Sequence, residues 1–146
     1  MTQTDKGHYA AKHRDAKVDE GLAAAVQAKS VGGKLSCPAA EALAAELAVT
    51  MAEIGKTADL LEVRINGCQL GLFGHSPAEK GVKPAEEVSH VFETLIRSRL
   101  VGGPAGPMPC AAAWEIAKLR KMPRLEVSSA CEKLGIKIKP CQLGAF

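Results

Sequence analysis

The chain contains the same segment twice, at a spacing of 73 residues. Residues 37–73 and 110–146 align without a gap, and both end in the pattern Cys-Gln-Leu-Gly-x-Phe. Twelve positions are identical, namely Cys37/Cys110, Ala39/Ala112, Ala40/Ala113, Ala44/Ala117, Glu53/Glu126, Leu61/Leu134, Ile65/Ile138, Cys68/Cys141, Gln69/Gln142, Leu70/Leu143, Gly71/Gly144 and Phe73/Phe146. An internal duplication of this kind indicates two copies of one fold. The sequence therefore predicts two similar units in an approximate two-fold pair, which is an internal pseudo-dimer.

The size of the repeat limits how much core each copy can bury. A chain of 146 residues accommodates two units, each of about 60 residues. Units this small bury a modest core, so we expect them to pack against each other or against a second chain in a homodimer. Aromatic residues make up only 3% of the chain. This scarcity argues against a single-stranded nucleic-acid platform, because such platforms stack bases on aromatic rings.

The first 17 residues are polar and charged and contain no apolar run typical of a signal peptide. No apolar stretch approaches the length of a membrane-spanning helix. The five cysteines without a secretory signal favour a reducing compartment. We therefore expect a cytoplasmic protein with no membrane partner.

Amino-acid composition and the positions of glycine and proline divide the chain into segments. Each repeat opens with an apolar stripe at helical spacing that ends at a glycine pair, Gly32-Gly33 or Gly102-Gly103. The predicted segments are a polar N-terminal arm (1–17), a first repeat (18–75), a Pro/Gly-containing linker (76–85) and a second repeat (86–146).

Two further helices are predicted inside each repeat. In the first copy, residues 38–48 carry apolar side chains at helical spacing, and Pro38 suits a first helical turn. Thr50 and Glu53 then form a capping-box pattern for a helix that runs to about Glu62. The second copy has the same layout, although Pro123 replaces the capping threonine.

A β-hairpin is predicted after these helices. Residues 63–65 alternate like a strand, Asn66-Gly67 is a strong hairpin turn, and residues 68–73 can return as a second strand. The second copy has Lys139-Pro140 at the turn. The predicted fold class is thus mainly α with short β-hairpins, in two repeated three-helix units.

The first copy carries a pattern that resembles the helix-turn-helix of small bacterial DNA-binding regulators: Leu43-Ala44-x-x-Leu47-Ala48-Val49-Thr50-x-x-Glu53-Ile54-Gly55-Lys56. In that pattern an alanine packs the first helix, a small residue and a valine form the turn, and Ser or Thr caps the second helix. The second copy matches more loosely around Lys121-Met122-Pro123. With the trailing hairpin, the resemblance implies tandem winged helix-turn-helix units and a regulator of transcription that binds double-stranded DNA.

Charge assigns the main DNA contact to the second copy. Residues 35–74 hold two basic and five acidic side chains, whereas residues 108–146 hold seven basic and three acidic ones. A basic surface favours the phosphate backbone, and arginine can read guanine. The predicted DNA contacts are Arg124, Ser128, Ser129, Lys133, Lys137 and Lys139 in the second copy, with Lys56 and Arg64 in the first. The alternative is a protein-interaction adaptor that binds its partner through the acidic first repeat, because winged helices also serve that role.

The repeated cysteines have three interpretations. Cys37 and Cys110 precede a helix, while Cys68 and Cys141 follow the predicted turn. Core packing is the interpretation we favour, and it needs no cofactor. The alternatives are a zinc or iron–sulfur site built from the four thiols and a redox switch within each pair, either of which would suit an accessory protein of a redox or metal enzyme.

No catalytic set is recognisable in the sequence. The glycine pairs lack the lysine of a phosphate-binding loop, and no Ser-His-Asp or paired-carboxylate arrangement recurs between the copies. The sequence therefore predicts a binding protein and not an enzyme.

Overall fold

The computed structural model describes residues 9–13, 17–75 and 80–146. Most of the predicted N-terminal arm and part of the predicted linker lie outside these described residues. The elements are a 3-10 helix at Tyr9–His13, α1 (Glu20–Lys29), β1 (Lys34–Ser36), α2 (Cys37–Leu47), α3 (Met51–Leu60), β2 (Arg64–Asn66), α4 (His90–Arg97), α5 (Cys110–Arg120) and α6 (Arg124–Leu134). The predicted mainly helical class is confirmed. Within the described ranges, no helix is long and apolar enough to cross a membrane.

The chain forms two compact units. The first unit combines the described residues up to Cys68 with Gln142–Phe146, and the second unit contains the described residues of Gln69–Cys141. This division differs from the predicted ranges 18–75 and 86–146. Each unit contains the helices of one copy together with the closing Gln-Leu-Gly-x-Phe segment of the other.

Local capping signals determine where the helices of the first unit begin. The Ser36 hydroxyl accepts a hydrogen bond from the Ala39 N–H (3.2 Å) at the start of α2. At the start of α3, Thr50 and Glu53 each accept from the backbone N–H of the other, at 3.1 Å. These bonds satisfy N–H groups that the first helical turn leaves free. The capping box predicted from the sequence is therefore present.

The connection between α2 and α3 turns in a left-handed backbone conformation. Ala48 has φ 54° and ψ 42°, and Val49 N–H donates to the Ala44 carbonyl (3.0 Å). Lys121 adopts the same conformation after α5 (φ 54°, ψ 48°). A residue with a Cβ atom is strained in the left-handed region of φ and ψ, whereas glycine is not.

Replacing Ala48 with glycine is therefore expected to raise the free energy of unfolding by about 0.5–1 kcal/mol, since relief of the left-handed strain exceeds the extra entropy of the unfolded chain. Urea denaturation measures the change. Ala45→Gly, at an exposed position inside α2, is the control and is expected to lose about 1 kcal/mol. A lower midpoint for Ala48→Gly would contradict the prediction.

The predicted hairpin at 63–73 is wrong. β2 pairs with β1 in parallel, with Lys34 opposite Arg64, Leu35 opposite Ile65 and Ser36 opposite Asn66. Leu35 and Ile65 are both buried, so this pairing places an apolar side chain from each strand in the core of the first unit. Beyond β2, positive φ angles at Gly67 (60°) and Gly71 (72°) bend the chain, and residues 68–73 form no strand.

The hairpin predicted at the equivalent place in the second copy is also absent. Ile138 makes a single parallel bridge with Met108, supported by hydrogen bonds from Met108 N–H to the Lys137 carbonyl (2.8 Å) and from Lys139 N–H to the Met108 carbonyl (2.9 Å). Pro107 and Pro109 flank Met108. The pairing does not continue past Met108, because the next N–H that could extend it, that of Cys110, donates to the Pro140 carbonyl (3.1 Å) and not to the Lys139 carbonyl.

Candidate functional site

The second unit contains two helices joined by a three-residue turn. α5 ends at Arg120 and α6 begins at Arg124, and the Met122 N–H closes the turn by donating to the Ala117 carbonyl (3.0 Å). The first unit repeats this arrangement with α2 and α3. α6 is the helix that carries four of the predicted DNA contacts, Arg124, Ser128, Ser129 and Lys133.

Part of the outer surface of α6 is covered by the chain that precedes α4. Lys80 Nζ forms an ion pair with Glu132 Oε1 at 2.6 Å, and the Ala85 N–H donates to the Ser129 carbonyl at 3.0 Å. Ser129 is half-buried as a result. The surface of α6 that stays exposed includes Leu125, Glu126 and Lys133.

Arg124, predicted to read a base, is half-buried and makes two contacts within the second unit. Its guanidinium carbon lies 3.6 Å from the centroid of the Trp114 ring, and its Nη1 donates to Gln69 Oε1 at 2.7 Å. A guanidinium in this position would have to break a cation–π contact and a hydrogen bond before it could reach a guanine. The geometry therefore does not support Arg124 as a base-reading residue in this conformation.

Ser128, another predicted DNA contact, is fully buried, with an exposed fraction of 0%. A buried side chain cannot reach a nucleic acid, so this prediction is wrong. The Ser128 Oγ also has no hydrogen-bond partner among the described residues. The equivalent position in the first copy is Gly55, which has no side chain.

Replacing Ser128 with alanine is expected to stabilise the protein by about 1 kcal/mol, because it removes a buried hydroxyl that has lost its hydrogen bonds to water. Urea denaturation tests this. Ser129→Ala, at the adjacent half-buried position, is the control, with an expected change below about 0.5 kcal/mol. A destabilised Ser128→Ala protein would show that the hydroxyl has a partner that stabilises the fold.

The three predicted lysine contacts of the second unit are exposed. Lys133 lies in the last turn of α6, while Lys137 and Lys139 flank the buried Ile138 in the extended segment that bridges to Met108. In the described ranges, none of the three forms an ion pair with a carboxylate. We call Lys133, Lys137 and Lys139 the lysine patch. In the first unit, Lys56 is exposed on α3 and Arg64 is half-buried on β2.

Three acidic residues of the first repeat, Glu53, Asp59 and Glu62, have structural roles within the first unit. Asp59 Oδ2 lies 2.9 Å from His13 Nε2, and Glu62 accepts hydrogen bonds from the Tyr9 and Ala10 N–H groups (2.8 and 3.1 Å). Glu53 belongs to the α3 capping box. These carboxylates stabilise the fold, which reduces the acidic surface that was predicted to bind a protein partner.

The repeated cysteines divide between the two units, Cys37 and Cys68 in the first and Cys110 and Cys141 in the second. Cys37 and Cys68 follow the carboxyl ends of the parallel strands β1 and β2. In the second unit, the Cys110 N–H donates to the Pro140 carbonyl at 3.1 Å, which brings Cys110 beside Cys141. Among the described residues, none of these four cysteines is in a disulfide. The described residues contain no group of three or more side chains that could hold a metal ion, so the alternative of a four-thiol zinc or iron–sulfur site lacks structural support.

The second unit also contains a groove that the sequence analysis did not predict. This groove, of about 370 Å³, is lined by Ala111, Trp114, Glu115, Ala117, Lys118, Met122 and Arg124. Its Trp114–Arg124 pair has no counterpart in the first copy, where Glu41 and Met51 stand at the equivalent positions. A search for repeated residues therefore misses the groove, and the single tryptophan of the chain was the one available signal.

The second unit thus has two surfaces with exposed chemistry, the lysine patch and the groove at Trp114. Comparisons with protein-family models, with curated proteins and with solved structures give no match for this chain. Function is accordingly inferred from the chemistry of these two surfaces.

Proposed function

We propose that this protein is a transcriptional regulator that binds double-stranded DNA, with the second unit as the main contact. The observation that carries the proposal is the lysine patch, which presents three exposed cations beside a pair of helices joined by a three-residue turn. The equivalent residues of the first copy are Leu60, Arg64 and Asn66, so the patch is particular to the second unit. Clustered cations free of carboxylate partners suit a phosphate backbone.

The proposed resemblance to winged helix-turn-helix proteins covers the helices only. It does not include the wing. Lys137 and Lys139 occupy an extended segment that takes the place of the predicted hairpin. Because both flank the inward-facing Ile138, they can contact one strand of phosphates together, while Lys133 extends the contact from α6. Lys56 and Arg64 of the first unit are proposed as weaker contacts.

The positions of Arg124 and Ser128 limit how well the protein would recognise a specific DNA sequence. With the guanidinium stacked on Trp114 and the serine buried, the exposed surface of α6 offers few groups that discriminate between bases. Contacts to phosphate position a protein on the duplex but carry little sequence information. We therefore expect salt-dependent binding with modest sequence preference.

Changing the three lysines of the patch to glutamine tests the proposal. Binding to a random duplex, followed by fluorescence anisotropy over a range of salt concentrations, is expected to weaken about tenfold at low salt. The slope of log affinity against log salt is expected to fall by about 2.7, since each phosphate contact contributes about 0.9.

The matched control changes Lys17, Lys29 and Lys34 to glutamine, which removes the same charge from exposed positions of the first unit. This control is expected to retain most of its affinity and its salt slope. Equal losses in the two triple variants would show that only net charge matters. A wild-type protein with no duplex affinity at low salt would reject DNA binding altogether.

The groove at Trp114 favours a second candidate function, that of a protein-interaction adaptor. An apolar groove with a few charged side chains is typical of a surface that receives a partner side chain, and α5 and α6 also expose Leu119 and Leu125. The fluorescence of Trp114, the single tryptophan, reports on this groove. Duplex DNA bound at the lysine patch is expected to leave that signal unchanged, whereas an adaptor's partner would shift it.

A further inference from the structure

The closing segment Gln142–Phe146 belongs to the first unit, although Cys141 belongs to the second. Leu143 and Ala145 are buried there, with exposed fractions of 2% and 1%. The segment thus contributes two core side chains to a unit whose other described residues end at Cys68.

The first unit is shaped to receive the backbone of this segment. A Cβ atom added to Gly55, on α3, would lie 1.9 Å from the Leu143 carbonyl oxygen and 2.6 Å from its carbonyl carbon. Any side chain at position 55 would therefore displace the segment. The absence of a side chain at Gly55 lets the Leu143 backbone lie directly against α3, while the Leu143 side chain enters the core.

The second unit holds the matching segment of the first copy. Leu70 is fully buried, and the Gln69 side chain accepts the hydrogen bond from Arg124 described above. A Cβ added to Gly71 would lie 2.8 Å from the Val82 nitrogen and from Leu125 Cδ1. Both units therefore contain a site for a Gln-Leu-Gly-x-Phe segment, and each site is filled by a segment from elsewhere in the chain.

We propose that the first unit is a peptide-binding site that accepts the segment Gln-Leu-Gly-Ala-Phe from a second copy of this chain as well as from its own. A reciprocal exchange preserves every contact of the segment, so the two arrangements differ mainly in chain connectivity. The segment of the same chain is favoured at low protein concentration because of its high effective concentration, and exchange between copies increases as the protein is concentrated.

The fourth residue of the Gln-Leu-Gly-x-Phe segment determines which segment the first unit prefers. The buried Ala145 corresponds to Leu72 in the first copy, which is only half-buried. A leucine at the position of Ala145 would overfill the first unit. The first unit is therefore selective for its own segment over Gln-Leu-Gly-Leu-Phe, which differs at this one residue.

The direct test removes residues 142–146 and supplies the segment as a synthetic peptide. Gln-Leu-Gly-Ala-Phe is expected to raise the melting temperature of the truncated protein in a saturable manner, and the dye-labelled peptide is expected to bind. The control peptide Gln-Leu-Gly-Leu-Phe is expected to bind at least about tenfold more weakly, and Gln-Ser-Gly-Ala-Phe is not expected to bind. A folded truncated protein that binds none of these peptides, or all three equally, would overturn the proposal.

A complementation experiment with full-length chains covers the case in which the truncated protein does not fold. Gly55→Ala blocks the receiving site and leaves the segment intact, whereas Leu143→Ser damages the segment and leaves the site intact. Mixed at high concentration, the two variants are expected to form a mixed dimer in which the first unit of the Leu143→Ser chain regains wild-type thermal stability. A mixture that contains only the two destabilised monomers would overturn the proposal.

Discussion

Replacing Gly55 with alanine is expected to lower the free energy of unfolding by about 3 kcal/mol. The new methyl group would meet the Leu143 carbonyl oxygen at 1.9 Å, and a backbone atom cannot rotate away as the end of a side chain can. Either α3 moves or the closing segment leaves its site, and both outcomes expose buried apolar surface. Urea denaturation measures the loss.

Gly21→Ala is the matched control for this prediction. The added Cβ would lie 3.4 Å from Asp19 Oδ1, which is an ordinary contact. Since Gly21 is in α1, alanine is expected to raise stability by up to about 1 kcal/mol through helix propensity. If Gly55→Ala is as stable as wild type, the segment is not seated against α3 as described.

Raising the pH from below 9 to above 11 is expected to cost roughly 2–3 kcal/mol of stability through Cys131 alone. Burial, assisted by the neighbouring Glu132 carboxylate, raises the pKa of this thiol from 9.0 to about 11. The unfolded chain therefore ionises at a lower pH than the folded protein. The contribution of Cys131 is complete below pH 9, decreases as the pH rises from 9 to 11, and is lost above the folded pKa.

The comparison that isolates this thiol is Cys131→Ala, which copies the Ala58 found at the equivalent position of the first copy. Urea denaturation of both proteins between about pH 8 and pH 11 gives two curves. Their difference removes the titration of every group that the two proteins share. The wild-type curve is expected to fall more steeply with rising pH, and parallel curves would contradict the prediction.

The helices could be predicted because their signals are local. The capping box of Thr50 and Glu53 begins α3 where the sequence indicates, and the left-handed residue Ala48 ends α2. These interactions join residues within one or two helical turns, so a short window of sequence contains both partners. The exposure of Lys137 and Lys139 on either side of Ile138 follows from a similarly short alternation.

The sheet could not be predicted in the same way. β1 is three residues long and its partner β2 begins 30 residues later, with two helices between them. The Asn-Gly pair indicated a hairpin because turn residues act locally, but the burial of Leu35 against Ile65 decided the pairing instead. Likewise, Arg124 and Ser128 occupy positions on α6 that suggest DNA contacts. Only the fold shows that Arg124 stacks on Trp114 and that Ser128 is in the core.

The internal repeat, the helical character of its units and the excess of basic residues in the second copy are all evident from the sequence. Those properties depend on composition and on short-range pattern. The tertiary structure decided which unit each Gln-Leu-Gly-x-Phe segment joins, because two nearly identical segments carry almost the same local information. Their destinations are set by the path of the chain and by the close contact between the backbone of Leu143 and Gly55, whose partners lie far apart in sequence.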